Sequence, residues 1–112
     1  MARSPVGAVV MLAGTEPKGT VPFGERTFRP QDRTLSCIVV FTKPAPGTKI
    51  RTEWYALSGK KETMFNDHDL TMGQENTKFS IFTLNKPWPA GKYRVKVFVG
   101  GKYDRAIGFN IK

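Results

Sequence analysis

Short runs in which apolar and polar residues alternate, separated by turn residues, organise this chain. A period of two predicts β-strands that have one buried and one exposed face. The six clearest runs are Val6–Leu12, Thr34–Thr42, Lys49–Leu57, Lys78–Leu84, Lys92–Val99 and Tyr103–Ile111. A weaker seventh run covers Lys61–Phe65. Because no segment keeps a helical period of about 3.6 residues, the pattern predicts an all-β fold with almost no helix.

The turns and the alternation also indicate how the strands are arranged. Gly100-Gly101 joins the last two runs, and a two-residue glycine loop is typical of an antiparallel hairpin whose turn residues have positive φ. The run before this hairpin has two faces, Tyr93, Val95, Val97 and Val99 against Lys92, Arg94 and Lys96. The run from Lys49 likewise divides into Ile50, Thr52, Trp54 and Ala56 against Lys49, Arg51, Glu53 and Tyr55. Such patterning predicts a sheet with one dry and one wet face.

The composition allows one hydrophobic core and excludes most metal and disulfide chemistry. The 112 residues are 39% hydrophobic and 12% aromatic, which suits a single domain over residues 1–112. We expect residues 33–112 to form the core sandwich and residues 1–32 to form an N-terminal strand and arm. With one Cys and one His, the chain has no intramolecular disulfide and lacks ligands for a structural zinc site. We therefore expect no metal and no cofactor.

Three residues give the chain a family resemblance. Cys37 lies on the second run, Trp54 on the third, and Tyr93 follows Ala90-Gly91-Lys92. In these residues the chain resembles immunoglobulin-like and fibronectin-type-III-like β-sandwiches of the bacterial or phage accessory-module type. Immunoglobulin domains have a buried Trp and a corner Tyr two residues before their second Cys, a position that Val95 occupies here. The resemblance covers residues 33–112 and implies an Ig-like antiparallel β-sandwich of about seven strands, a fold that hosts many roles.

A basic stripe is the first candidate binding surface. The chain has 18 Lys and Arg against 9 Asp and Glu, a formal net charge of +9. If the strands pair as in an Ig-like sheet, one outer face carries Lys49, Arg51, Lys92, Arg94 and Lys96. Neighbouring like charges repel, and by sequence only Glu53 and Asp104 lie near enough to offset them. The stripe indicates either an acidic partner, such as nucleic acid, lipid headgroups or an acidic protein, or a generally basic soluble surface.

The second candidate surface is apolar. The runs Thr34–Thr42 and Lys78–Leu84 carry apolar residues on both faces, although each sheet of a small sandwich has one dry side. Ile38, Val40 and Phe82 are the surplus residues that we select as candidates for a partner contact. We expect such residues to meet either the chain's own first strand or a second protein chain.

The residues able to carry catalytic chemistry do not form a recognisable constellation. His68 stands in Asn66-Asp67-His68-Asp69, and Ser58 and Ser80 are candidate nucleophiles, but no nucleophile-elbow pattern and no second base accompany them. We interpret residues 66–69 as a polar loop between strands. The same interpretation applies to a metal site at His68 and its neighbouring aspartates. The sequence therefore predicts no catalytic residues.

Two further side chains have both a chemical and a packing interpretation. Cys37 shares a strand face with Leu35, Val39 and Phe41, which predicts a buried, unreactive thiol with a raised pKa. Trp88, in Pro87-Trp88-Pro89, is the one candidate for contact with a carbohydrate ligand. We expect it instead to close one end of the sandwich beside Tyr93.

These observations predict a non-enzymatic structural or interaction module, an Ig-like accessory subunit that docks onto a larger protein assembly or onto a second copy of itself. The alternative is a nucleic-acid-binding module that uses the basic face. The apolar stretch Pro5–Ala13 is too short to span a membrane and fits a signal peptide poorly, so we expect no transmembrane segment. The compartment that this favours is the cytoplasm or an assembled particle.

Overall fold

In the residues that the structure describes, the alternating sequence forms eight strands in two stacked sheets. The structure, a computed structural model, describes residues 4–15 and 24–112, so part of the expected N-terminal arm lies outside the described residues. The strands are β1 (Val6–Ala13), β2 (Arg26–Phe28), β3 (Thr34–Phe41), β4 (Lys49–Ser58), β5 (Lys61–Thr71), β6 (Thr77–Thr83), β7 (Gly91–Val99) and β8 (Lys102–Ile111). In the part of the chain that the structure describes, no helix is long and apolar enough to cross a membrane.

The sheet topology is that of an immunoglobulin-like sandwich. One sheet has three strands in the order β1-β3-β6, and the other has five in the order β2-β8-β7-β4-β5. Neighbouring strands are antiparallel except β2, which runs parallel to β8. Immunoglobulin domains distribute their strands between two sheets in the same manner. The predicted fold class is confirmed, with the three-residue β2 as a strand that the sequence pattern did not identify.

The β5 segment differs most from its sequence-based interpretation. The predicted weak strand ends at Phe65, whereas β5 continues to Thr71 and pairs with β4 along its whole length. The interpretation of residues 66–69 as a loop is therefore wrong. Asp67 and Asp69 are exposed and His68 is half-buried, so this stretch alternates as a strand does. The sequence pattern did not identify this stretch as a strand because its residues are polar, and an edge strand tolerates charged residues.

The hairpin between β7 and β8 is confirmed. Gly100 and Gly101 have φ of 59° and 83°, the conformation that a two-residue primed turn requires and that glycine adopts without steric cost. The two strands pair antiparallel from Gly91 with Ile111 to Val99 with Lys102.

The three residues of the family resemblance converge in the core. Cys37 and Trp54 are fully buried, and Tyr93 is buried with its hydroxyl donating to the Pro89 carbonyl, as a corner tyrosine does. Trp88 is 2% exposed, and its ring centroid lies 5.3 Å from that of Tyr93. Trp88 therefore closes one end of the sandwich, as predicted, and is not an exposed platform for a sugar.

Candidate functional site

The outer face of the five-stranded sheet brings the predicted basic stripe together. Lys49 and Arg51 lie on β4, and Lys92, Arg94 and Lys96 lie on the neighbouring β7. We call this surface the charged face, defined by those five cations together with Glu53, Glu62, Asp67 and Asp69. Its cations project outward because the alternate positions of both strands, such as Trp54 and Val95, fill the core.

Most of the stripe is neutralised by carboxylates from β4 and β5. The Arg51 guanidinium lies 2.9 Å from Glu53 and 2.8 Å from Asp67, and a third contact joins it to Asp69 at 3.3 Å. The expectation that only Glu53 and Asp104 offset the stripe is wrong, because three of the four carboxylates come from β5. Asp104 pairs instead with Arg105, at 2.6 Å.

Glu62 has the same role at the other end of the stripe. Its two carboxylate oxygens lie 2.7 Å from the Arg94 guanidinium and 2.9 Å from the Lys96 ammonium. The hydrogen bond from Lys96, followed by the attraction of both cations, lowers the pKa of the Glu62 carboxyl. Glu62 therefore stays ionised in mildly acidic solution and holds two long basic side chains in fixed positions.

Tyr55 links the two groups of ion pairs. Its hydroxyl donates to Glu53 at 2.6 Å, and the Lys96 ammonium lies 4.5 Å from the centroid of its ring. The hydrogen bond to Glu53 raises the pKa of Tyr55 to about 12, and the bonds from Tyr55 and then Arg51 lower the pKa of Glu53. A cation over an aromatic face adds an attraction of about 0.5–1 kcal/mol at exposed sites. The charged face is thus a connected network of fixed side chains.

Apolar side chains are exposed among these charges. Met64, beside Tyr55 in the sheet register, is 47% exposed, and Tyr103 is 58% exposed. Tyr103 packs edge-to-face on Phe98, with ring centroids 5.7 Å apart, and Phe98 lies opposite Arg51. Met, aromatic residues and Arg are the residue types enriched in protein–protein interfaces. Sequence reasoning missed Met64 because the strand that carries it was only weakly identified.

The proposed apolar contact residues do not share one surface. Ile38 and Val40 lie on the outer side of the three-stranded sheet, where Ile38 packs with Val10 and Leu12 of β1. Phe82 lies opposite Leu35, whose side chain is fully buried, and so faces the interior, with its ring centroid 5.9 Å from that of Trp54. Phe82 faces the other way because the alternate positions of β6 hold Phe79, which is half-buried and packs with Ile38, and Ile81, which is exposed.

The candidate catalytic residues form an internal hydrogen-bonded group. Ser80 is fully buried, and its Oγ lies 2.9 Å from His68 Nδ1, 2.7 Å from Thr52 Oγ1 and 3.0 Å from the Trp54 Nε1–H that donates to it. A hydroxyl surrounded in this way is not open to a substrate. Ser58 is exposed at the end of β4. Within residues 4–15 and 24–112, no group of three His, Cys, Asp or Glu side chains is placed to hold a metal ion.

Comparison with known proteins finds solved structures to which the chain is similar. No protein-family model and no curated protein matches the chain. It is similar to an uncharacterized protein from Bacillus anthracis str. Ames, with 14% identity and a TM-score of 0.48 over 80% of this chain and 77% of that one. It is also similar to the CARDB domain of the PF1109 protein from Pyrococcus furiosus, solved in complex with di-metal ions. There the identity is 12% and the TM-score 0.44, over 99% of this chain and 97% of that one.

Proposed function

We propose that this protein is a non-enzymatic β-sandwich module that docks onto a larger protein assembly through its charged face. The observation that carries the proposal is the exposure of Met64 and Tyr103 on a face whose charged side chains are already fixed by ion pairs. Apolar anchors surrounded by paired charges are the usual anatomy of a specific protein interface, with an apolar centre and a polar rim.

The fixed side chains reduce the cost of binding. Immobilising one long side chain at an interface costs about 0.5–1.5 kcal/mol, and Arg51, Arg94 and Lys96 are already held in the free protein. Lys49 and Lys92, at opposite ends of the face, are exposed. As rim charges they would speed the encounter with an acidic partner more than they would strengthen the final complex.

The same ion pairs weigh against nucleic acid as the ligand of this face. Phosphate binding draws its affinity from Lys and Arg that are available to neutralise phosphates. Here Arg51 and Arg94 are engaged by carboxylates that a phosphate backbone would have to displace and would repel. An acidic or mixed protein surface is able to join the network without breaking it.

Site-specific photo-crosslinking in the cells that produce the protein tests the proposal. A benzoylphenylalanine residue replaces Tyr103 in one variant and Met64 in another, and a third variant carries it at Ile81, an exposed position of the other sheet. We expect the same protein adduct from the first two variants and none from the third. Adducts only at Ile81, or no adduct at any position, would refute docking through this face. An adduct with nucleic acid at Tyr103 would replace it with the alternative function.

A further inference from the structure

A pocket opens at the end of the sandwich that Trp88 closes. It lies between β5 and β6, the strands at the corresponding edges of the two sheets, and has a volume of about 340 Å³. Its walls are side chains already fixed by the fold: Phe65 of β5, Phe82 of β6, and Trp88 and Tyr93. The pocket is separate from the charged face, since Phe65 and Phe82 face the interior.

The walls are aromatic and rigid. The ring centroids of Phe65 and Phe82 lie 5.3 Å apart, those of Phe82 and Trp88 5.7 Å, and those of Phe65 and Trp88 5.9 Å, all edge-to-face. Two hydrogen bonds fix Trp88, from its backbone N–H to the Pro30 carbonyl and from its indole N–H to the Arg33 carbonyl. Such an array offers ring faces and edges to an incoming aromatic ring.

The size of the pocket suits a small ligand. An apolar cavity of about 150 Å³ holds a benzene molecule, and ligand pockets generally begin at about 300 Å³. Ala56, Leu84 and Pro89 complete the apolar lining, and Ala56 leaves space that a larger side chain at this position would fill. The pocket therefore admits one ring with a short substituent.

The one charged side chain in the described lining is Lys86, which is exposed. Among the described residues it makes no salt bridge, in contrast to the cations of the charged face. The same end of the sandwich carries further exposed lysines, Lys60 and Lys61 in and after the β4–β5 turn and Lys112 after β8. A ligand that enters this end meets a positive potential.

We propose that this pocket binds a small aromatic carboxylate, with its ring packed against Phe65 and Phe82 and its carboxylate at the Lys86 ammonium. The aromatic walls select a ring, and the lone lysine at an otherwise apolar site selects a single negative charge. This binding activity is independent of the docking role proposed for the charged face.

Calorimetric titration with 4-phenylbutyrate tests the proposal on the full chain. The comparison ligands are 4-phenylbutanol, which lacks the charge, and octanoate, which lacks the ring. We expect 4-phenylbutyrate to bind most tightly of the three. In an NMR titration, the indole N–H signal of Trp88 should shift with the same affinity, because this indole belongs to the pocket wall.

Two variants separate the charge from the cavity. Lys86→Gln should weaken 4-phenylbutyrate about three- to fivefold, the value of one exposed charge pair, and leave 4-phenylbutanol unchanged. Lys43→Gln, at an exposed lysine of the opposite end, is the matched control and should change neither. Ala56→Leu should reduce the binding of both ring-bearing ligands by filling the pocket. If Ala56→Leu fails to fold, the surface variant Lys86→Gln still decides, because an unchanged affinity for 4-phenylbutyrate in Lys86→Gln would overturn the proposal.

Results with the wild type and with Ala56→Leu would also overturn the proposal. They are the absence of 4-phenylbutyrate binding to the folded wild-type protein, equal affinity for the acid and the alcohol, and binding that a folded Ala56→Leu variant leaves unchanged. Tighter binding of octanoate would refute the preference for a ring. None of these results bears on the crosslinking at Tyr103 and Met64, so the two proposals fail separately.

Discussion

At the scale of single residues, Ser80 joins the two sheets through hydrogen bonds. It lies on β6 of the three-stranded sheet, and its partners Thr52, Trp54 and His68 lie on β4 and β5 of the other. A buried indole N–H needs an acceptor, and Ser80 Oγ is the acceptor of Trp54. The sequence marks Ser80 only as a possible nucleophile, but its surroundings make it a structural junction.

Removing this hydroxyl should destabilise the fold. Ser80→Ala leaves the buried Trp54 N–H without its acceptor and removes a partner from Thr52, which we expect to lower the free energy of unfolding by about 2–3 kcal/mol. Urea denaturation followed by tryptophan fluorescence measures the change. Ser58→Ala, at an exposed strand end, is the control and should change it by less than about 0.5 kcal/mol. Equal stabilities for the two variants would contradict the role of Ser80.

Cys37 gives a second prediction at this scale. Burial raises the pKa of its thiol to about 12. The side chain is fully buried, so a reagent in solution does not reach the sulfur in the folded protein. Since the thiolate is the reacting form, iodoacetamide should not modify the native protein at neutral pH and should modify it rapidly in denaturant. Mass spectrometry of the intact chain measures the modified fraction. Labelling of the native protein at the rate of the denatured chain would show that Cys37 is exposed in solution.

At the scale of elements, the β7–β8 hairpin depends on the conformation of its turn. Gly100 has φ of 59°, which an alanine adopts only with a steric penalty. Gly100→Ala should therefore lower the free energy of unfolding by about 1–2 kcal/mol. Gly100→Asn should cost less, because asparagine tolerates this conformation better, and chemical denaturation of both variants provides the comparison. If alanine and asparagine were equally harmful, the cause would not be backbone conformation.

The strands differ in how far the sequence pattern predicts them. Strands such as β4 and β7 are predictable because one face packs into the core, so apolar residues recur at every second position. The inner positions of β5 include the polar His68, which hides the strand after Phe65. The strand β2 has three residues and pairs with β8, far away in sequence, so its pairing leaves no local pattern.

The charged face was predictable only in part, for the same reason. Alternation on β4 and β7 placed Arg51 and Arg94 on one outer surface, as the structure does. The carboxylates that neutralise them depend on the register of β5, which the sequence did not reveal. The pocket beside Trp88 was not predictable either, because it forms where separate strands and a loop meet.

At the scale of the whole molecule, the positive charge is distributed unevenly over the surface. The chain carries a net charge of +9, yet the charged face sets four carboxylates against its five cations. The surplus positive charge therefore lies elsewhere, including the end of the sandwich that carries Lys86. Protonation of the carboxylates would leave the cations of the face, Arg51 and Arg94 among them, to repel one another.

Acidification should therefore destabilise the fold. The pKa values of Glu53 and Glu62 are lower in the folded chain than those of free carboxyls. These groups therefore stabilise the folded protein at pH values above the pKa of the unfolded chain. Their contribution is lost as the pH falls through the pKa values of the folded chain. The urea midpoint should be highest near neutral pH and fall progressively below about pH 5. Glu62→Gln, which cannot titrate, should make this decline shallower. Added salt should reduce the difference between wild type and variant at neutral pH, because it screens exposed pairs. A midpoint that stays constant down to about pH 3 would mean that these ion pairs contribute nothing to stability, and that the charged face is not fixed in solution.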